Sequence, residues 1–190
     1  MAGGLRRPGE RRLQILQSLA AMLEEPSPEK ITTAALAKRL DVSEAALYRH
    51  FASKAQMYEG LIEFIEQTLF SLMTKITSEV PDPMEQVGSI LAMLLAFAKK
   101  NPGMARVLIG DALVNEDLRL QKRINQLIDR LEAQLRQCLR FCKPGNDTEA
   151  TPLANLLICF VVGRWHLFAK NGFSRDPSID IGAQLNKLIS

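Results

Sequence analysis

The sequence is poor in the residues that build metal centres and disulfide frameworks. Three cysteines and two histidines occur in 190 residues, and the histidines, His50 and His166, are far apart. Cys138 and Cys142 stand four apart in a helical pattern, about 6 Å along the axis, where a disulfide would be strained. With an odd cysteine count and no signal peptide, we expect a reduced cytoplasmic protein that has no metal site.

Long apolar runs and catalytic motifs are also missing. The run LLICFVVG at 156–163 is far shorter than the roughly 20 residues that span a bilayer, so we expect a buried or interface helix and no membrane segment. No Gly-rich phosphate loop and no HExxH motif is present. The acidic pair Glu116 and Asp117 precedes a charged helix, whose N-terminal dipole it complements. We therefore expect neither an enzyme nor a cofactor.

The abundant residues favour helices. Leu, Ala, Gln, Glu, Lys and Arg dominate, and apolar residues recur at helical spacing, which predicts an all-α fold. Nine helices are predicted, at about 10–24, 33–40, 43–51, 53–78, 84–100, 104–112, 115–142, 152–171 and 179–189. The polar, basic residues 1–9 predict a flexible arm, and KPGNDTEATP at 143–152 predicts the clearest loop.

Positive charge is concentrated at one end of the chain. In residues 1–54, nine Lys and Arg face six Asp and Glu, whereas residues 55–190 hold fifteen of each. The whole net charge of +3 therefore belongs to the first quarter. A basic module on a neutral body favours phosphate binding, although a few surface charges can also cluster by chance.

The first module, residues 10–54, fits a helix-turn-helix. Leu36 and Leu40 take inward positions on its second helix, and Asp41 occupies a turn position that often requires a positive φ. Leu47 and Phe51 anchor the third helix inward. Three short helices followed by long ones predict a small head, residues 10–54, on a larger helical body, residues 55–190.

The outward face of this head has the composition of a DNA-reading surface. Small residues at the start of the third helix would let it enter the major groove, and helix N-termini beside it favour phosphate. The predicted contacts with double-stranded DNA are Thr32, Thr33, Ser43, Glu44, Ala45, Ala46, Tyr48, Arg49, His50 and Lys54. Ser43 to Ala46 would face bases, and Tyr48, His50 and Lys54 phosphates. The alternative is a three-helix packing unit with a solvated polar face.

The late helices of the body predict a homodimer. The eighth helix is apolar nearly all round and needs burial on more than one face. Together with the seventh helix it would form an isologous four-helix interface. An alternative use of the same helix is a ligand pocket lined by Arg164, Trp165 and His166.

The head also carries a family resemblance. ITTAALAKRLDVSEAALYRHFASKAQMYEGLI, residues 31–62, resembles the DNA-binding module of the TetR family, with a capping Thr, a turn and a Tyr-x-His-Phe-x-x-Lys ending. The resemblance implies a TetR-like all-α fold, with a three-helix DNA-binding head and a dimerising regulatory body. Most family members are ligand-responsive repressors, which is the alternative function.

Motifs in the body resemble those family members that act in nucleoid occlusion. These are LIEFIE (61–66), NPG (101–103), RINQL (123–127) and EAQLRQ (132–137). The resemblance implies a cytoplasmic, nucleoid-associated dimer that binds palindromic sites and then engages the C-terminal tail of the division protein FtsZ. The tail would lie between the fourth and fifth helices, on Ile62, Phe64, Ile65, Leu69, Leu72, Met93, Ala96, Phe97, Lys100 and Asn101. The alternative is that this stripe is core.

Overall fold

The structure is a computed structural model that describes residues 8–25, 31–142 and 147–189. Within them the chain forms nine α-helices and no strand, which confirms the all-α prediction. The helices are α1 Pro8–Leu23, α2 Thr33–Arg39, α3 Glu44–Tyr48, α4 Lys54–Glu79, α5 Pro83–Lys100, α6 Pro102–Leu108, α7 Leu118–Cys142, α8 Asp147–Lys170 and α9 Ile181–Ile189. A 3-10 turn, Asp111–Leu113, follows α6.

Side-chain caps set the starts of the early helices. Thr32 Oγ1 accepts the Ala35 N–H at 3.1 Å and Ser43 Oγ accepts the Ala46 N–H at 3.2 Å. Ser53 Oγ accepts the N–H of Gln56 at 3.2 Å. Each oxygen satisfies a backbone donor that the helix itself leaves unpaired, so short helices can begin at fixed positions.

Several helix boundaries differ by two to five residues from the predicted ones, among them the start of α1, the end of α3 and the start of α8. α1 begins at Pro8, because proline suits a first helical turn; the rest of the predicted arm, residues 1–7, lies outside the described residues. α3 ends at Tyr48, three residues early. α8 begins at Asp147 and carries Pro152 inside it, so the predicted loop at 143–152 is wrong from Asp147 onward, and its first four residues lie outside the described part.

One hydrophobic core runs from the head into the body. Ile15, Leu36, Leu47 and Phe51 form its head portion, and all four are buried. α1 also packs against α4 and α6 of the body. The head is therefore seated on the body through α1 as well as through the chain connection into α4.

The middle of the body is α5, which packs against α4, α7 and α8. The indole of Trp165 on α8 is fully buried and donates to the Leu94 carbonyl at 3.1 Å. A buried polar group with such a partner fixes the register of its helix. α7 lies along α8, and its buried stripe includes Leu127, Leu131 and Leu135.

The last long helix meets the length and composition of a membrane span. Among the described residues one segment, Thr148–Lys170, does so, and 44% of it is buried inside the molecule. The core helix of a water-soluble protein passes the same test. Because this helix packs against α5, α6 and α7, its apolar character is partly that of a core element.

Candidate nucleic-acid interface

The outer face of the head is built by α2, α3 and the turn between them. Asp41 adopts a φ of 54°, the left-handed conformation that its position was predicted to need and that Asp tolerates better than most residues. Val42 N–H then bonds the Ala37 carbonyl at 3.0 Å. Leu47 and Phe51 point inward as predicted, which leaves the opposite side of α3 facing out.

Most of the predicted DNA contacts lie together on this face. Exposed members are Thr32, Ser43, Glu44, Ala45, Tyr48 and Arg49, and half-buried members are Thr33, Ala46 and His50. Tyr48 keeps 45% of its surface, unusual for a large ring in the middle of a small module. The face therefore offers small side chains at the start of α3 and hydrogen-bonding ones at its end.

A chain of hydroxyl groups links the two helices across this face. The hydroxyl of Tyr48 lies 3.5 Å from Thr33 Oγ1, and Thr33 donates to the carboxylate of Glu44 at 2.6 Å. Because Thr33 has a single hydroxyl proton, Tyr48 is the donor of the first bond. The arrangement fixes the direction of Glu44, the one acidic side chain within α3.

An arginine that was not among the predicted contacts lies against the end of α3. Arg12 on α1 donates to the His50 carbonyl at 3.2 Å, and its guanidinium lies 4.2 Å from the centroid of the Phe51 ring. It thus joins α1 to the end of α3 and adds a positive charge there. The basic run RRPGERR, residues 6–12, was the sequence signal for this role.

Lys54, the last of the predicted contacts along the sequence, makes its ion pair with the body. Its ammonium is paired with Glu116, which lies between the 3-10 turn and α7. The same ammonium is 5.7 Å from the centroid of the Tyr58 ring. Burial, and secondarily the Glu116 charge, raise the pKa of Tyr58 far above its ordinary value. Lys54 therefore belongs to the joint between head and body.

The predicted groove between α4 and α5 is only partly a surface. Ile62, Ile65, Leu69 and Phe97 are buried, because they form the contact between the two helices and their neighbours. This corrects the predicted peptide-binding set: these four belong to the core.

The other six predicted groove residues all retain some outer surface. Phe64, Met93 and Ala96 are half-buried, whereas Leu72 and Lys100 are exposed. The side-chain amide of Asn101 donates to the Phe97 carbonyl, one turn earlier in the chain, at 2.8 Å. Apart from Lys100 and Asn101, the residues of this remaining surface are apolar.

The alternative ligand pocket does not form from the three side chains proposed for it. Arg164 is buried and donates to the Ile179 carbonyl at 3.0 Å and to Gln184, while Trp165 is held by α5. His166 does line an open cleft of about 500 Å³ between α6, α7 and α8. The cleft's other lining residues are Leu108, Ile109, Gln121, Ile124, Asn125, Ile128, Asp129 and Val162.

Metal-binding and disulfide chemistry are not assembled in the part of the chain that the structure describes. No group of three or more His, Cys, Asp or Glu there could hold a metal ion. The cysteines form no disulfide; Cys142 Sγ instead donates to the Cys138 carbonyl at 3.4 Å. Burial raises the pKa of Cys138, which keeps that thiol protonated.

Two family patterns match the chain, one in its N-terminal part and one in its C-terminal part. Residues 15–61 match the bacterial regulatory proteins of the tetR family, and residues 82–189 match the SlmA-like, tetracyclin repressor-like C-terminal domain.

Curated relatives match over almost the whole chain. The nucleoid occlusion factor SlmA of Alteromonas mediterranea is 51% identical over 92% of this chain and 91% of its own length. The SlmA of Shewanella pealeana is 47% identical over 93% and 91%.

Solved structures share the fold at low sequence identity. FadR from Bacillus halodurans, a fatty acid degradation regulator, has a TM-score of 0.81 at 14% identity, over 97% of both chains. FadR from Bacillus subtilis, solved with stearoyl-CoA, has a TM-score of 0.78 at 15% identity, over 94% of this chain and 97% of its own. At such identities the likeness concerns the fold alone.

Proposed function

The chain belongs to the TetR family, in its SlmA-like group, and from this we propose that it is a nucleoid occlusion factor that binds DNA and restrains cell division. The observation that carries the proposal is the 51% identity to an SlmA protein over 92% of this chain, because it covers the body as well as the head. Head motifs are shared by regulators of many kinds, whereas the body distinguishes them. The proposal places the protein in the cytoplasm, on the nucleoid, without a catalytic role.

The head would read DNA through α3. Ser43, Ala45 and Ala46 are small enough to let the start of the helix approach base edges in the major groove. Tyr48, Arg49 and His50 at its end would contact phosphates and fix its position. Thr32 and Thr33 would place the N-terminus of α2 near the backbone of the same DNA strand.

The body would dimerise through α8 and the end of α7, and the dimer would present a second head to the second DNA half-site. Leu156 and Leu167 on α8 are each 47% exposed, Phe141 on α7 is 64% exposed, and Gly163 between them has open space around it. Side chains this apolar on neighbouring elements favour a partner of the same kind. A twofold axis there would set two heads about one DNA turn, roughly 34–36 Å, apart.

The partner of the DNA-bound dimer would be the C-terminal tail of FtsZ. Its binding strip would be the exposed remainder of the α4–α5 groove, formed by Phe64, Leu72, Met93 and Ala96. Such a strip, with Lys100 at one end, suits a short apolar peptide that carries an acidic group. Ile62, Ile65, Leu69, Phe97 and Asn101 would support it from below.

The test combines DNA and FtsZ in one assay. Bound sites are first mapped across the genome, and a duplex carrying one site then saturates the purified protein before FtsZ polymerisation is followed by light scattering. We expect disrupted polymers with wild type, and a loss of this effect in Met93→Glu, which places a charge in the strip. Thr74→Glu, at an exposed position of α4, is the matched control and should behave as wild type.

Two results would overturn the proposal. A DNA-saturated wild type that leaves FtsZ polymers unchanged would exclude the division role. Binding at a single divergent promoter, with release from DNA by a small molecule, would instead indicate a ligand-responsive repressor that uses the cleft at His166.

A further inference from the structure

Lys54 connects the DNA-reading face to the body. It is the first residue of α4, directly after the cap Ser53 and three residues after Phe51, the inward anchor of the α3 end. Its partner Glu116 is 62 positions away in the sequence and belongs to the segment that leads into α7. This ion pair therefore crosses from the head to the body.

The pair is shielded from water. The side chains of Lys54 and Glu116 are 22% and 14% exposed, and the buried ring of Tyr58 lies beneath the ammonium. Charges at such a site are screened far less than surface charges. The contact is thus a firmer tie than the neighbouring ion pair between Arg119 and Glu59, 3.1 Å apart, whose arginine is largely exposed.

The ammonium of Lys54 can pair with either of two anions, a DNA phosphate or the Glu116 carboxylate. As the cation that follows the DNA-reading helix, it is a proposed phosphate contact, and in the structure it neutralises a carboxylate. A phosphate that approached Lys54 would also approach Glu116, and the two anions repel each other. If Lys54 turns to the phosphate, Glu116 is left partly buried without its cation, which is unfavourable.

We propose that Glu116 competes with a DNA phosphate for Lys54, so that binding of DNA releases the segment 114–117 from the head. The inference rests on the proposed DNA binding. Glu116 is then a positioning residue: its competition for Lys54 weakens DNA binding and couples that binding to the body. The link is reciprocal by thermodynamic necessity: whatever holds Glu116 away from Lys54 strengthens the phosphate contact by the same factor.

The first experiment is a double-mutant cycle on DNA affinity across a salt titration. The probes are a duplex carrying a mapped site and a scrambled duplex, with wild type, Glu116→Gln, Lys54→Met and the double variant. We expect Glu116→Gln to raise affinity several-fold on both probes. The dependence of log K on log salt should stay that of wild type, because Lys54 neutralises one phosphate in both complexes, whereas Lys54→Met should lower the slope by about one contact. In the Lys54→Met background the same change should have no effect.

The control is Asp117→Asn, which removes the same charge from the next position. Asp117 pairs with Arg119 at 3.0 Å rather than with Lys54, so this variant should leave the affinity unchanged. An equal gain in affinity from Asp117→Asn would mean that the effect comes from the change in net charge alone, and this would overturn the proposal. A loss of affinity in Glu116→Gln would also overturn it, because Glu116 would then only hold Lys54 ready for phosphate.

A second experiment needs no variant for its main result. Amide hydrogen exchange at residues 110–118 should become faster when wild type binds the duplex, although bound proteins normally gain protection. Lys54→Met should show no such DNA-induced change. Added protection of this segment on DNA would overturn the proposal, whereas a wild type that binds neither duplex would instead contradict the proposed function.

Discussion

At the residue scale, two buried arginines organise the C-terminal part of the body. Arg164 joins α8 to α9 through Ile179 and Gln184, as described above. The Arg106 guanidinium lies 5.1 Å from the centroid of the Phe173 ring. Phe173 has a φ of 63°, a costly conformation for a bulky side chain, which the packing against Arg106 and the Phe168 ring offsets. These contacts fix the segment between α8 and α9.

Asp176 in this segment should make stability depend on acid pH. Its carboxylate accepts from Lys99 at 2.6 Å and from the Ser178 N–H at 2.8 Å, and these bonds, Lys99 first, lower its pKa. A carboxyl whose folded pKa lies below its unfolded one stabilises the fold above the unfolded pKa, about 4, and loses that contribution as pH falls through the folded pKa.

The expected result is a small, pH-dependent difference between variants. Asp176→Asn should lower the free energy of unfolding at pH 7 by about 0.5 kcal/mol, since the pair is largely exposed, and the difference should fade as acid protonates Asp176. Urea unfolding at several pH values measures it. In a Lys99→Gln background the difference should shrink; an undiminished one would assign the effect to the Ser178 bond alone.

At the element scale, the approach of α6 to α1 decides how the head sits. A Cβ on Gly103 would lie 2.0 Å from the Ala20 carbonyl oxygen and 3.1 Å from the Leu23 Cβ. The first of these distances is far below any van der Waals contact, and its partner is backbone that cannot turn aside. Glycine at 103 is therefore required by packing between two elements, rather than by its own backbone angles.

Gly103→Ala should separate α1 from α6. We expect a loss of about 2–3 kcal/mol in the free energy of unfolding, the cost of overpacking a well-filled core, together with weaker DNA binding because the head is no longer firmly seated. Gly88→Ala is the matched control on α5, where nothing lies within 4 Å, and it should gain up to about 1 kcal/mol. Calorimetry compares them; equal melting temperatures would contradict the packing argument.

At the scale of the whole molecule, α8 has two different faces. One is buried against α5, α6 and α7, with Trp165 and Ala154 at its centre. The other exposes Leu156 and Leu167. The uncovered apolar face of α8 explains why this helix has the length and hydropathy of a membrane span. It is also the reason why a second subunit is its proposed neighbour.

Leu156→Glu should convert the dimer to monomer. Burying the new carboxylate on the twofold interface would require it to face its own copy, so like charges would oppose association. Analytical ultracentrifugation at micromolar concentration should show one subunit where wild type shows two. Leu118→Glu, at a still more exposed leucine (82%) at the start of α7, should remain a dimer. A dimeric Leu156→Glu would move the interface elsewhere.

The helical class, the helix-turn-helix and most of its outer face could be predicted from the amino-acid sequence. Local signals suffice for these: caps at Thr32, Ser43 and Ser53, apolar spacing, and the turn at Asp41 act over a few residues. That Ile62, Ile65 and Leu69 are core rather than groove became visible only in the folded molecule. A buried and a groove-lining apolar stripe look alike in sequence, because they differ only in what covers them.

The pairing of Lys54 with Glu116, and of Gly103 with Ala20, was likewise beyond the sequence alone. Each joins positions that are far apart in the chain, and no local pattern states which distant residue will be the neighbour. The three-dimensional path of the chain sets these contacts, since it brings the segment before α7 and the start of α6 against the head. The sequence therefore determined a DNA-reading module, and the fold decided how that module is tied to the body.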